Sequence, residues 1–163
     1  MKNRRFLYLL FFYISFFNIS FVTANEFEFD VSEIIISDNG NIIEAKNGTA
    51  KSLINGININ ADTFFYNKSS STLTALGDVK ITSLKNDFLI ETQSIIYDTY
   101  KKKISSQDNT LINDANGNLA EAKAFFLNLN DNVIKLKKMK MTDLQQNIIK
   151  LDIAYINLNT RNL

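Results

Sequence analysis

An all-β, antiparallel fold is what the sequence predicts, and three observations carry that prediction. Apolar and polar residues alternate over short runs, as half-buried strands require. These runs recur at a step of about thirty residues, the mark of a repeated or stacked architecture. After residue 24 no stretch sustains a 3.6-residue apolar period with caps, so helix content is expected to be small.

The repeat is read directly. Ala61-Asp62-Thr63-Phe64-Phe65-Tyr66-Asn67 aligns with Thr92-Gln93-Ser94-Ile95-Ile96-Tyr97-Asp98 and with Ala122-Lys123-Ala124-Phe125-Phe126-Leu127-Asn128. Backwards the step reaches Val31–Ser37, and forwards Leu151–Asn157. Turn-rich stretches follow the first four units: "DNGN" from Asp38, "NKSSS" from Asn67, "DTYKKK" from Asp98 and "NLNDN" from Asn128. Their Asx, Gly and Ser residues supply turn chemistry, and return strands begin at Ile43, Leu73, Ile104 and Ile134. Each unit is therefore a hairpin, with shorter links at Asn55 and Asp114. "AEAKAFFLNL" from Ala120 has helix propensity, but its alignment with the other units predicts strand. A lone hairpin is marginal in water, whereas stacked hairpins bury a shared face as a sandwich or jelly roll.

In the clearest unit the odd positions are apolar: Ile57, Ile59, Ala61 and Phe65 going out, Leu73, Ala75, Val79 and Ile81 returning. The middle of that face is small, with Ala61, Thr63, Ala75 and Gly77, and the pattern recurs as Thr92, Ser106 and Ala122. Such residues either receive large side chains from a facing sheet or leave room for a groove between sheets.

Residues 1–24 have the layout of a secretory signal peptide. Lys2, Arg4 and Arg5 precede the apolar run Phe6–Val22, and Val22-Thr23-Ala24 offers a cleavage site before Asn25. An uncleaved anchor is the alternative, although Ser15, Asn18 and Ser20 interrupt the run. Cleavage removes three basic residues and takes the net charge from +1 to 1 − 3 = −2. The mature chain thus has no global field to attract nucleic acid. It is long enough for one domain, residues 25–163. Without cysteine there is neither a disulfide framework nor a thiolate metal site. An exported chain of this kind suggests a bacterial envelope.

"FEFDVSEIIISDNGNIIEAKNGTAKS", "INADTFFYNKSSSTLTALGDVKI" and "AEAKAFFLNLNDNVIKL" resemble the OstA-like repeats of the lipopolysaccharide transport family. There a strand with Ala-Asp and a Tyr-Asx turn precedes an apolar-x-Ala-x-Gly-x-Val strand, matched here by Ala61, Asp62, Tyr66, Asn67, Leu73, Ala75, Gly77 and Val79. The second copy departs, with Thr92-Gln93 and Asp108; the third keeps Ala122 but has Lys138 at the glycine position. The resemblance implies an open-ended periplasmic β-jelly roll whose V-shaped groove shelters lipid A acyl chains of lipopolysaccharide. Related jelly rolls would dock edge to edge by β-strand addition, linking inner- and outer-membrane transport components. The chain would be the bridge protein or the N-terminal part of the outer-membrane translocon; a retained leader would suggest the inner-membrane-anchored member.

The groove is expected to be lined by Ile57, Ile59, Ala61, Phe65, Leu73, Ala75, Val79, Ile81, Phe88, Ile90, Ile96 and Phe126. Docking edges are expected at Phe27, Phe29 and Val31 and at Leu151, Ile153 and Tyr155. The clusters Lys101–Lys103 and Lys135, Lys137, Lys138 and Lys140 are either solvated faces, edge protection or contacts to headgroup phosphates. Asn47-Gly48-Thr49 and Asn67-Lys68-Ser69 fit a glycosylation pattern but read as turns. Asp38-Asn39-Gly40-Asn41 lacks the downstream Glu of a calcium loop. No metal, no cofactor and no enzymatic activity are expected: His and Cys are absent, and no phosphate-binding glycine loop is present. The rival class is an exported, self-assembling β-repeat scaffold with a packed interior and no lipid.

Overall fold

The computed structural model describes residues 26–83, 88–114 and 118–158; the leader and its expected cleavage site lie outside them. Among the described residues, eleven strands form one antiparallel sheet. They are β1 (Glu28–Ser37), β2 (Ile42–Ser52), β3 (Ile57–Asn67), β4 (Thr72–Ser83), β5 (Phe88–Asp98), β6 (Lys103–Ser106), β7 (Thr110–Asp114), β8 (Leu119–Ala122), β9 (Ala124–Asn128), β10 (Val133–Thr142) and β11 (Ile148–Asn157). A 3-10 turn at Asp38–Gly40 is the one helical element among the described residues. The stretch from Ala120 is strand on both sides of a bend at Lys123, because pairing with β10 overrides its helix propensity.

The pairing ladder skips or shifts once near the middle of the strands. It passes over Ser32 and Asn47 between β1 and β2, and over Asn47 and Asp62 between β2 and β3. It shifts register between Asn60 and Thr63, and again between Leu76 and Val79. Lys138 and Asp152 are passed over between β10 and β11. With Gln93, Asp108 and Lys123 these positions form one line across the sheet, at roughly half the thirty-residue repeat. Apart from Ala61 and Val79, which the β3–β4 shift also passes over, every residue on the line is polar or glycine. Asn47, Gly77, Asp78 and Lys138 adopt left-handed backbone conformations there, as bulged positions do. The line is a crease, and the sheet folds on itself along it.

Contacts across the fold show the closure. Phe27, from the half carrying β7 and β8, packs edge-on against Tyr66 and Tyr97 of the half carrying β6 and β9, with centroids 5.0 and 5.7 Å apart. Phe29 meets Phe64 in the same way. We term these the lower and upper halves. The turns of the upper half are stitched to one another: Lys68 N–H donates to Asn41 O, Thr99 to Ser71, Leu129 to Lys102 and Leu158 to Asn132, at 2.8–3.0 Å. Each thirty-residue unit thereby hangs from the last.

The crease changes which residues face inward. In β3 the buried set runs Ile57, Ile59, Ala61, then Phe64 and Tyr66; in β5 it runs Phe88, Ile90, Thr92, then Ile95 and Tyr97. The alternation slips by one residue at Asp62 and at Gln93. Simple alternation carried through the crease therefore misplaces the residues beyond it. Phe65 and Ile96, expected inside, stand on the outer face at 43% and 55% exposure. Phe126 is likewise turned outward, between buried Phe125 and Leu127. β4 keeps its phase because its crease takes two residues, Gly77 and Asp78, so Leu73, Ala75, Val79 and Ile81 all lie inside.

Candidate functional site: an apolar interior open at two edges

The interior is one hydrophobic cluster joining the inner faces of both halves from β1 to β11. Of the residues expected to line a groove, Ile57, Ile59, Ala61, Leu73, Ala75, Val79, Ile81, Phe88 and Ile90 are buried in it. Ala61, Ala75, Thr92, Ser106 and Ala122 each stand within two residues of the crease, where the two halves converge. Their small size fits the narrow end of a folded sheet. Thr92 and Ser106 are hydrogen-bonded there at 3.0 Å, and Thr110 reaches Thr92 at 3.4 Å, so the buried hydroxyls are satisfied. Gly77 serves a different purpose from the alanines. Its φ is +78°, and a Cβ there would lie 2.8 Å from the Cβ and Cγ of Asp62. It shapes the crease and leaves no room in a groove.

Opposite the crease, the lower turns meet the upper half. Asn55 donates to the Tyr97 hydroxyl at 2.7 Å and to Ser52 at 3.1 Å. Burial pushes the Tyr97 phenol up to about 12, with a hydrogen bond from Ser52 opposing and the Glu26 charge adding to the shift. Burial and then Glu26 raise Tyr66 as well. The folded state holds both phenolic protons more tightly than the unfolded chain; the contribution of Tyr97 is complete below pH 10. It is lost as pH rises towards 12. Thermal unfolding scans should show stability falling across that window, and Tyr97→Phe should flatten the fall; an unchanged slope in that variant would show that Tyr97 does not stay protonated in the seam.

The two sheet edges are β1 and β11, each paired on one side only. Phe27, Phe29 and Val31, expected as docking residues, turn their side chains into the chain's own core. The exposed apolar side chains of that edge are Ile34, Ile35 and Ile36, beyond the crease at Ser32. Ile34 and Ile36 pair with buried Ala45 and Ile43 and so share the inner face. At the other edge Ile149 and Leu151 pair with Met141 and Met139, again on the inner face. Ile153 and Tyr155, past the crease at Asp152, point outward, opposite Lys137 and Lys135. The apolar inner surface thus runs out to solvent at both edges, with Ile36 60% and Leu151 44% exposed. Among the described residues no group of carboxylates is placed to hold a metal ion.

A family model described as "Lipopolysaccharide-assembly, LptC-related" matches residues 27–142. The fold is similar to the crystal structure of LptH, the LptA-homologous periplasmic component of the lipopolysaccharide transport device from Pseudomonas aeruginosa. That likeness has a TM-score of 0.61 at 9% identity, over 77% of this chain and 93% of that one. No curated protein sequence matches significantly.

Proposed function

The chain belongs to the LptC-related family of lipopolysaccharide-assembly proteins, and from that premise we propose that its folded sheet shelters lipid A acyl chains between the two halves. It is a component of the periplasmic route that carries lipopolysaccharide to the outer membrane. The family matched is the LptC-related one, where the sequence resemblance had pointed to the bridge protein or the translocon's N-terminal domain. A transport role accords with the expectation of a non-enzymatic protein.

One observation carries the groove: the apolar inner face is continuous and uncapped at both edge strands. Each methylene exposed to water costs about 0.8 kcal/mol, so an acyl chain of about twelve carbons costs roughly ten. A path of apolar side chains entered at one edge and left at the other removes that cost without moving parts. Ile34 and Ile36 on one side, and Ile149 and Leu151 on the other, would receive and pass on the chains. Neighbouring jelly rolls of the transport system would dock there by adding strands to β1 and β11. The leader fits a signal peptide cut before Asn25; family membership favours the second reading, a retained inner-membrane anchor.

The test is photo-crosslinking in cells, with a reactive residue replacing Ile59 or Ile90. Lys80, on the lower outer face, is the outward control. Lipopolysaccharide adducts at the inner positions alone are the expected result, and the intact mass of the same protein reads whether the leader is gone. Folded, exported protein without adducts at either inner position would leave a packed scaffold as the better account.

A further inference from the structure

The outward turn of Phe65, Ile96 and Phe126 gives the upper half an unusual outer face. By register Phe65, Ile96, Phe126 and Tyr155 stand in one cross-strand row, with Thr74, Ser105 and Lys135 on the strands between. Leu76 and Ile153 flank it and are about half exposed. Lys135 lies 5.5 Å from the Tyr155 ring centroid and Lys137 5.0 Å from that of Phe126. Lys103, Phe126, Lys135 and Tyr155 border a shallow groove of about 470 Å³. Among the described residues none of Lys103, Lys135 and Lys137 is ion-paired to a carboxylate. Of the nearby acids, Asp98 holds Lys101 at 2.7 Å and feels the charge of Lys103, opposite it on β6, without an ion pair; Asp131 accepts from Asn128 at 2.6 Å. Glu44 continues the row at β2, and exposed Ile35 ends it at β1.

The lower half is built from the same repeats and is the internal control. Lys51, Lys80 and Lys140 there are matched to Asp30, Glu91 and Glu121, and Lys150, on the edge strand, is the outer lysine of this half without an ion pair among the described residues. None of its outward positions on β2 to β5 carries an aromatic ring. The combination of outward aromatic rings with several unmatched lysines among them is therefore a feature of the upper face.

We propose that the upper outer face docks on an anionic lipid bilayer. The strands of this face between β1 and β11 are hydrogen-bonded to neighbours on both sides, so strand addition is not available there and recognition must come from side chains. Aromatic and aliphatic groups fit the interfacial zone, and unpaired lysines on apolar stems fit lipid phosphates. Each such lysine contributes roughly a fivefold factor in partitioning near an anionic surface.

The chain has no tryptophan, so one introduced indole is a clean reporter. Full-length protein carrying Ile96→Trp, or Leu111→Trp on the lower outer face, would be mixed with vesicles of phosphatidylglycerol with brominated acyl chains. Quenching of Ile96→Trp but not of Leu111→Trp is expected, with little in phosphatidylcholine vesicles. Replacing Lys103, Lys135 and Lys137 by Ser should weaken partitioning about a hundredfold. Should that variant misfold, high salt on the parent reporter protein must still release it. Equal quenching of both reporters, or of neither, overturns the proposal. So does an Ile96→Trp response to inorganic phosphate alone, or one that grows with protein concentration in the absence of vesicles, which would mark a free-anion site or a second copy.

Discussion

Gly77→Val is expected to cost about 3 kcal/mol or more, read as a fall in denaturant midpoint. Two separable causes act at once. A β-branched residue at φ +78° sits in a region closed to all but glycine and a few polar residues. Its Cβ would also collide with the side chain of Asp62, its neighbour across the crease. Gly77→Ala combined with Asp62→Gly should recover the collision part only, because the backbone strain stays, roughly 1–2 kcal/mol. Because the crease sets which side chains face inward on every strand, lipid adducts at Ile59 should fall with the fold. A Gly77→Val protein with the parental midpoint would mean that the crease is soft, and that the slip of alternation at Asp62 and Gln93 needs another cause.

The hairpin repeat, the strand content and the resemblance to the transport family were legible because each rests on local pattern: alternation, Asx-rich turns, a fixed step. The crease was half legible. Asp62, Gly77, Gln93, Asp108, Lys123 and Lys138 are the very positions aligned in comparing repeats, and their polarity in mid-strand was the available signal. What alternation cannot register is a bulge, since one extra residue moves every later side chain to the opposite face. Phe65, Ile96 and Phe126 were misplaced for that single reason, and Tyr97, Phe64 and Phe125 were missed as core by the same slip. The buried state of Phe27 was beyond reach for a different cause. It depends on the sheet folding over, a contact made with Tyr66 and Tyr97, far along the chain.

Phe27→Ala should be the most costly single truncation near either sheet edge, about 3–5 kcal/mol, as for other buried aromatic deletions. The ring is 4% exposed and touches Phe29, Tyr66 and Tyr97, so its loss opens a cavity between the halves beside the β1 edge. Stability and lipid handling should then part company. If acyl chains enter at the β1 edge, the cavity widens their path, and adducts at Ile59 per folded molecule should rise. Ile36→Ser is the matching contrast: exposed and on the same inner face, it should leave the midpoint within about 0.5 kcal/mol. It should nevertheless reduce those adducts, since it breaks the apolar surface at the mouth. Both variants lowering stability alike, with adducts unchanged, would show that β1 is packing only and that lipid enters elsewhere.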